Sequence, residues 1–339
     1  MIEIDGSTHE GGGQILRTAI SLSAVTKKPC HVFNIRRGRK KPGLMRQHLW
    51  GLKALSQLCQ ANLRGDFLKS QEIWFHPGKI QAKDLLIKIE TAGSITLVLQ
   101  TLILPALYSP SPIKISFDGG ATDTFFSPTI GHFQYVFLKI LEKIGVKAEI
   151  NVIRHGFYPE GGAKVEVKVF PCHQLKPISL TERGRLEKLL IISGASENLK
   201  KKRVAERQIS GVKQILGKLK LPLQEKIEYC STLGTGSHIN IIGKLENTVF
   251  GTDNLGRLGK SAEIVGKEAA QRFLQEVKSN ACLDKYTADQ ILPFMVLASG
   301  KSQVTVSEIT SHCKTNIWVI EKFLDGKFEI EGNKISWCL

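Results

Sequence analysis

The chain opens with a strand-to-helix junction, Asp5-Gly-Ser-Thr-His-Glu-Gly-Gly-Gly-Gln-Ile-Leu-Arg17. Residues 1–5 alternate apolar and acidic side chains, which predicts a half-buried strand. Residues 14–25 carry an apolar stripe at helical spacing, which predicts a helix. The glycines between them let backbone N–H groups approach an anion at the start of that helix. The junction predicts mixed α and β structure, with either an anion site or an ordinary turn between the two elements.

Strand and helix patterns continue to alternate up to about residue 180, and they resume near the C-terminus. Small residues at 92–94 predict the start of a helix, and Pro105 predicts its end. Apolar helices with a single glutamine occur three times, at Gln14, Gln100 and Gln290, which indicates a repeated α+β unit. Strands are predicted at 30–35, 113–117, 147–152 and 303–306, and helices at 46–58, 92–104, 131–144, 287–298 and 315–324.

The stretch 184–278 differs in character, because it is rich in lysine and arginine and includes Lys200-Lys201-Lys202-Arg203. It has strand and helix patterns of its own at 186–192, 204–216, 238–242 and 262–278. The earlier pattern resumes after it. We therefore predict a smaller α+β domain over 184–278, inserted into a domain formed by 1–183 and 279–339. A single domain with a long excursion is the alternative.

Composition indicates a partner and a compartment. Lysine and arginine number 47 against 31 aspartate and glutamate, a net charge of +16, which favours a polyanion such as nucleic acid. The seven cysteines form no CxxC pair, which argues against a disulfide framework or a structural zinc site and favours reduced thiols. The N-terminus lacks the apolar core of a signal peptide, and the longest apolar stretch is too short to span a bilayer. We expect a cytoplasmic protein with no membrane partner.

The basic segment, defined as residues 36–48, reads Arg36-Arg37-Gly38-Arg39-Lys40-Lys41-Pro42-Gly43-Leu44-Met45-Arg46-Gln47-His48. Arginine suits phosphate because its planar guanidinium donates two parallel hydrogen bonds. Six like charges in one loop repel each other unless an anion binds there. The segment predicts a phosphate site, and a solvated loop is the alternative.

Other motifs bear on which type of reaction the protein could catalyse. The segment Leu255-Gly-Arg-Leu-Gly-Lys-Ser261 lacks the glycine that a phosphate-binding P-loop needs, since Asn254 occupies that position. No HExxH or GxSxG motif is present. His312 lies just before or at the start of a predicted helix. A helix N-terminus keeps an imidazole neutral and nucleophilic, so His312 is a candidate nucleophile, with a capping or surface histidine as the alternative.

Taken together, these segments resemble the RNA 3′-terminal phosphate cyclase family over almost the whole chain. One departure is Ala163, where the family usually has a third glycine. The motifs that support the resemblance are Asp5–Arg17 as quoted above, Gly38-Arg-Lys-Lys-Pro-Gly-Leu-Met-Arg-Gln-His48, Ala92-Gly-Ser-Ile-Thr-Leu-Val-Leu-Gln-Thr101, Arg154-His-Gly-Phe-Tyr-Pro-Glu-Gly-Gly162, Ala288-Asp-Gln290 and His312-Cys-Lys-Thr-Asn316.

The resemblance implies a fold and a reaction. The fold is α+β, made of repeated βαβαββ-like units similar to the C-terminal domain of a bacterial translation initiation factor, with a smaller α+β domain inserted before the last unit. The reaction uses ATP and a divalent cation, magnesium or manganese. His312 becomes a covalent histidine–AMP, AMP passes to an RNA 3′-phosphate, and the 2′-hydroxyl then closes a 2′,3′-cyclic phosphate. The enzyme would be a ligase of RNA processing or repair. The basic face of the stretch 184–278 predicts either an extension of the RNA track or a homodimer contact.

The resemblance also implies roles for single residues. Glu10 matches a metal-linked acid, and Pro128 and Tyr286 match residues on either side of the adenine. The phosphate and RNA-end contacts match Arg17, Arg36, Arg39, Gln47 and His48, and the ATP site matches Gln100, Pro128, Tyr286, Thr287, Ala288, Asp289 and Gln290. Two alternatives are a non-catalytic relative in rRNA processing, which lacks the nucleophile, and an enolpyruvyl transferase of similar repeats.

Overall fold

The computed structural model describes residues 1–338, and its first 76 residues fold as one βαβαββ unit. The sheet has the order β1-β2-β4-β3, in which β1 and β2 are parallel and the other pairs antiparallel. The parallel pair is joined by a helix, as a parallel connection requires. The elements are β1 Ile2–Asp5, α1 Gly13–Thr26, β2 Cys30–Phe33, α2 Arg46–Cys59, β3 Asn62–Arg64 and β4 Ile73–His76.

Residues 85–169 repeat this arrangement as a second unit, with the sheet order β5-β6-β8-β7 and the same parallel first pair. Its second helix is divided, because a π-helical turn at Phe133–Phe137 separates α4 from α5. The elements are β5 Leu85–Ser94, α3 Ile95–Ala106, β6 Ile113–Ala121, α4 Ile130–His132, α5 Leu138–Lys143, β7 Ala148–Arg154 and β8 Lys164–Val169.

A third unit begins with the short strand β9, Ser179–Leu180, and then the chain leaves it. The stretch that follows forms a separate sheet in the order β11-β10-β12-β13, covered by two helices that pack against each other. We call this stretch the insert. Its elements are β10 Leu186–Ser196, α6 Val204–Leu216, β11 Leu223–Cys230, β12 Ser237–Leu245, β13 Val249–Leu255 and α7 Ala262–Ser279.

After the insert the chain completes the third unit, whose sheet has the order β9-β14-β16-β15. Strand β9 pairs in parallel with β14, as the first two strands do in the other units. The remaining elements are α8 Lys285–Met295, β14 Ser302–Thr305, α9 Ser311–Phe323, β15 Lys327–Glu331 and β16 Lys334–Cys338.

The prediction of an α+β fold made of repeated units is therefore confirmed. One detail was wrong. The insert lies inside the last unit, between its first strand and its first helix, and not before it. The domain boundaries at 183/184 and 278/279 stay a prediction.

Within residues 1–338, two main hydrophobic cores and a small third cluster of Val136, Ile192 and Ile242 accompany these sheets. The larger core contains side chains from all three units, from Ile4 in β1 to Trp337 in β16. The smaller core lies in the insert and is centred on Phe250 and Phe273, whose ring centroids are 5.1 Å apart. Burying one large aromatic or branched side chain stabilises a fold by about 1.5–3 kcal/mol, so both cores stabilise the elements that contribute to them.

The helix predicted at 92–104 starts later than the sequence pattern indicated. Residues 92–94 are the end of strand β5, and the helix begins at Ile95. Ser94 is extended, and its side chain accepts a hydrogen bond from the Leu97 N–H at 3.3 Å, which makes it the N-cap. Small residues therefore mark the strand end and the cap, and not the first turn.

The prediction that Pro105 ends this helix was also wrong, because the helix runs through it to Ala106. Proline has no N–H to donate to the carbonyl of Thr101, four residues earlier. The Ser21 hydroxyl of helix α1 donates to that carbonyl instead, at 2.7 Å. A tertiary contact thus satisfies the acceptor that the proline leaves free.

Two capped helix starts position the site. Helix α8 begins at Lys285, earlier than predicted, because Asp284 accepts hydrogen bonds from the N–H groups of Tyr286 and Thr287. Helix α9 begins at Ser311, four residues before the predicted start, because the Thr310 side chain accepts from the N–H of Cys313. His312 consequently lies in the first turn of α9.

Two sequence expectations concern the cysteines and the membrane. The cysteines whose side chains the structure describes are all free thiols. Within residues 1–338, no helix combines the length and the apolar character needed to cross a lipid bilayer. The side chain of Cys338 lies outside the described part.

Glu276, on α7 where the insert meets the third unit, should make stability depend on pH. Burial raises the pKa of Glu276 to about 7, so the folded protein retains a proton that the unfolded chain loses. Stability should therefore fall as pH rises from about 4.5 to about 7. At pH 8, Glu276→Gln should raise the free energy of unfolding by about 1–3 kcal/mol, measured by denaturant titration.

Glu268→Gln is the matched control on the same helix. Glu268 contacts the Lys260 ammonium at 2.6 Å, so its loss should not stabilise the protein. A variant Glu276→Gln that is less stable than the parent at pH 8 would contradict the assignment.

Candidate functional site

A cleft lies where helices of the first, second and third units meet. Helix α1 packs against α3 and α9, and α8 packs against α9. The three glutamines that the sequence singled out each lie on one of these helices and all line the cleft. Its lining comprises Gln14, Arg17, Thr18, Ser21, Gln100, Ile103, Leu104, Phe137, Asp289, Gln290, Pro293, Phe294 and Asn316.

His312 adjoins this cleft through Gln14. Its Nδ1 contacts the Oε1 of Gln14, and the Nε2 of Gln14 donates to the main-chain oxygen of His312 at 3.2 Å. The His312 side chain is 46% exposed, so a ligand can reach it. If Nδ1 donates its proton to Gln14, the lone pair lies on Nε2, the ring nitrogen that does not contact Gln14.

Glu10 connects His312 to the basic segment. Its Oε2 lies 3.0 Å from His312 Nε2, and its Oε1 lies 2.5 Å from the guanidinium of Arg39. Burial lowers the pKa of His312, Arg17 and Arg39 lower it further, and Glu10 opposes them. The imidazole is therefore neutral near pH 7, which is the protonation state that a nucleophile needs.

Asp289 and Arg17 are the charged groups inside the cleft. Burial raises the pKa of Asp289 to about 7, although Arg17 opposes this shift. Burial likewise lowers the pKa of Arg17 to about 10, against the effect of Asp289 and Glu10. Asp289 also accepts a hydrogen bond from Gln14 Nε2 at 2.9 Å. A cleft that contains charged groups with strongly shifted pKa values is typical of a binding or reaction site.

The basic segment consists of a loop, which contains Arg36 and Arg39, and the first turn of helix α2. Arg36 donates to the carbonyl oxygens of Lys41 and Gly43, at 2.6 and 3.0 Å, and so folds the loop on itself. Arg39 extends to Glu10. Gln47 is half-buried in the first turn of α2, and the structure describes no side-chain hydrogen bond for it.

His48 is the buried end of this segment. Its Nδ1 accepts a hydrogen bond from the Met45 N–H at 3.0 Å, which leaves the proton on Nε2. Burial lowers the pKa of His48 to about 3, and Arg17 and Arg36 lower it further. Nε2 lies against Gly13, the first residue of α1, where an added Cβ would be only 2.1 Å away. His48 is therefore a neutral donor next to the start of that helix.

The residues that were matched to an ATP site do not all lie together. Gln100, Asp289 and Gln290 line the cleft, and Gln100 donates to Gln290 at 2.9 Å. Thr287 and Ala288 are fully buried, so their side chains face the core.

The other two matched residues flank this region. Pro128 is half-buried, and its carbonyl accepts from the Thr96 hydroxyl at 2.8 Å. Tyr286 is 46% exposed at the start of α8.

Among the lining residues that were not predicted, two make hydrogen bonds that connect the helices of the site. Gln14 was noted only as part of the repeat, yet it contacts both His312 and Asp289. Asn316 accepts from Thr18 and donates to the Asp289 carbonyl, each at 2.7 Å, so it joins α1, α8 and α9. Its position one turn after His312 was the available signal, because residues four apart share a helix face.

Comparison with known proteins gives the family. The family model described as RNA 3′-terminal phosphate cyclase matches residues 8–330. A protein of that name from Pyrococcus abyssi is 43% identical over 332 residues, covering 98% of this chain and 96% of its own. Namesakes from Sulfurisphaera tokodaii and Pyrobaculum aerophilum are 44% and 42% identical, covering 98% and 96% of this chain and 97% and 94% of their own.

The comparisons show that the protein is an enzyme and of which kind. The chain belongs to the RNA 3′-terminal phosphate cyclase family. The resemblance drawn from the sequence motifs is thereby confirmed.

Gly13→Ala should disturb the site without disturbing the fold. The added Cβ would collide with His48 Nε2, so the imidazole must move away from the start of α1. We expect the His48 pKa, followed by NMR, to rise above its present value of about 3 as the ring becomes more exposed. Gly38→Ala is the control, because its Cβ would meet nothing within 4 Å. Equal His48 pKa values in both variants would contradict the packing described.

Proposed function

We propose that the protein converts an RNA 3′-terminal phosphate into a 2′,3′-cyclic phosphate with ATP, through a covalent histidine–AMP. Family membership supports the overall reaction. The observation that supports the mechanism best is the setting of His312, an accessible neutral imidazole whose Nδ1 is engaged by Gln14.

In the first step, His312 Nε2 attacks the α-phosphorus of ATP. The N–P bond forms, the bond to the β-phosphate oxygen breaks, and pyrophosphate leaves. Attack requires a lone pair on Nε2, and the contact of Nδ1 with Gln14 Oε1 favours that tautomer. Glu10, whose Oε2 lies 3.0 Å from Nε2, must move away from that nitrogen before the attack. The first turn of α9 adds positive potential close to the phosphates.

In the second step, an oxygen of the RNA 3′-phosphate attacks the phosphorus of the histidine–AMP, and the N–P bond breaks. This gives an RNA end joined to AMP through a pyrophosphate. The neighbouring 2′-hydroxyl then attacks the RNA phosphorus and releases AMP and a proton. The last step is intramolecular, so proximity alone lowers much of its barrier.

Glu10 is our candidate to hold a divalent cation, magnesium or manganese. Magnesium bound with nucleotides commonly uses one or two carboxylates together with phosphate oxygens, so a single carboxylate fits. One Glu10 oxygen contacts the guanidinium of Arg39, and the other contacts the imidazole of His312. The cation would replace one of these two partners. When bound, the cation neutralises phosphate charge.

ATP is proposed to occupy the cleft beside Gln14. Gln100, Asp289 and Gln290 offer amide and carboxyl groups there, and Pro128 and Tyr286 offer flat surfaces for the adenine. Any contact from Thr287 or Ala288 would come from the main chain, because their side chains are buried.

The RNA end is proposed to lie along the basic segment. Arg17, Arg36 and Arg39 supply charge, and Gln47 and His48 supply neutral donors at the start of α2. Since Arg39 also contacts Glu10, this segment adjoins the proposed nucleotide site. The presence of His312 disfavours the non-catalytic alternative. A cytoplasmic location and a homodimer stay predictions.

His312→Asn should abolish covalent labelling of the protein by ATP that carries the label on its α-phosphate. In the parent protein the label should survive denaturation, be labile in acid and be stable in alkali, as a phosphoramidate is. His9→Asn is the control, because His9 is exposed and has a positive φ of 52°, which asparagine tolerates. Labelling that survives His312→Asn would contradict the proposed mechanism.

Arg39→Gln should weaken the step that uses RNA. The test is single-turnover cyclisation of a 3′-phosphorylated oligonucleotide by enzyme already carrying AMP, so that the ATP step does not enter. Loss of a charge-assisted contact should raise the half-saturating RNA concentration by about 10- to 100-fold. Lys40→Gln removes the same charge from an exposed neighbour and should have a much smaller effect. Equal effects of the two substitutions would indicate general charge attraction instead.

A further inference from the structure

A second group of chemically active side chains lies away from the cleft, where the insert meets the second unit. Asp123 follows strand β6, His155 follows strand β7, and His238 lies on strand β12 of the insert. The proposed reaction does not use any of them. Asp123 is 1% exposed and His238 is 2% exposed, whereas His155 is only partly buried.

The donor atoms of the three residues point toward one another. Oδ2 of Asp123 lies 3.1 Å from Nδ1 of His155 and 3.1 Å from Nδ1 of His238. All three donor atoms lie within 4.8 Å of one another. Ligands of a tetrahedral zinc ion at bond lengths of about 2.0–2.1 Å are separated by about 3.3 Å, so the spacing already suits one ion.

Hydrogen bonding accounts for only part of this cluster, since His155 and Thr122 are hydrogen-bonded to Asp123 Oδ2 but other donor and acceptor atoms are not paired. Nδ1 of His238 and Oδ1 of Asp123 are buried and have no hydrogen-bond partner among the described residues. The His238 ring is close to the carboxylate but does not have the geometry of a hydrogen bond to it. Burying polar atoms without partners costs about 1–3 kcal/mol each, and an ion among them would remove that cost.

We propose that Asp123, His155 and His238 bind a divalent transition metal ion of the zinc type. Two imidazoles and a carboxylate are borderline ligands, which suit zinc or cobalt and are poorly suited to magnesium or calcium. The Thr122 hydroxyl, 2.7 Å from Asp123 Oδ2 and 3.1 Å from His155 Nδ1, adjoins the fourth position. The partial exposure of His155 provides an entry path.

The ion would fasten the insert to the second unit at a segment that matters for the cleft. Residues 123–129 are tied to the insert at their other end as well, because Asp253 accepts from the Thr129 N–H at 2.9 Å and Asn240 accepts from the Thr129 hydroxyl at 2.5 Å. Pro128 lies between these two attachments. The ion would therefore connect the insert to the second unit, and its binding does not depend on the proposed reaction.

The test is titration of the full-length, chelator-treated protein with cobalt(II), followed by visible absorption. We expect one equivalent to bind with the intense bands of a low-coordinate cobalt site. His155→Gln and His238→Gln should each weaken binding by about 100-fold or more. Glu10→Gln and His312→Asn are the matched controls, and they should retain the same site because they alter only the reaction cleft.

Thermal melting with zinc supplies a second readout that does not rely on a spectrum. Zinc should raise the melting temperature of the parent protein and of the two controls, and should not raise that of His155→Gln. His155 is the least buried of the three. The His155→Gln variant therefore tests whether the cluster binds the metal even if His238→Gln does not fold. Absence of binding, cobalt binding retained in His155→Gln, or its loss in Glu10→Gln would each overturn the proposal.

Discussion

The side-chain amide of Gln14 holds together parts of the chain that are almost 300 residues apart. Its oxygen faces Nδ1 of His312, and its nitrogen donates to Asp289 and to the His312 carbonyl. An amide can do this because it presents an acceptor and a donor in one rigid plane. The orientation of the imidazole, the tautomer it adopts and the closeness of α1, α8 and α9 all depend on this contact.

The repeated units explain how glutamines from distant parts of the chain come to lie in one cleft. Each unit contributes a helix that follows its first strand, and each of these helices carries a glutamine into the cleft. The second and third of these glutamines bind each other, and the first binds the histidine. Three copies of one supersecondary structure thus produce a site that is not symmetric. The helices themselves follow the repeat, since α9 packs against α1 as α2 packs against α3, so the asymmetry arises from the side chains that each helix carries.

The sequence predicted the parts of this site that are encoded locally. His312 and the basic segment stand out because charge density and position at a helix start are properties of adjacent residues. The role of Gln14 and the meeting of Asp123, His155 and His238 could not be predicted in the same way, because they join strands and helices far apart in the chain. Residues 92–94 were misassigned because small residues suit a strand end and a helix start equally well, and the pairing of Ser94 with Ala121 in β6 is a long-range contact that local sequence does not show.

The short strand β9 has a consequence for how the chain reaches this structure. Its neighbour in the sheet comes only after the whole insert, since Ser179 of β9 pairs with Gln303 of β14, 124 positions later. On a ribosome, two residues of edge strand must therefore wait, unpaired, while the insert is made and compacted. Long-range strand pairing is slow because it closes a large loop. An insert that folds early shortens that loop. The rate at which its core forms then limits how soon the third unit, which carries His312, is completed.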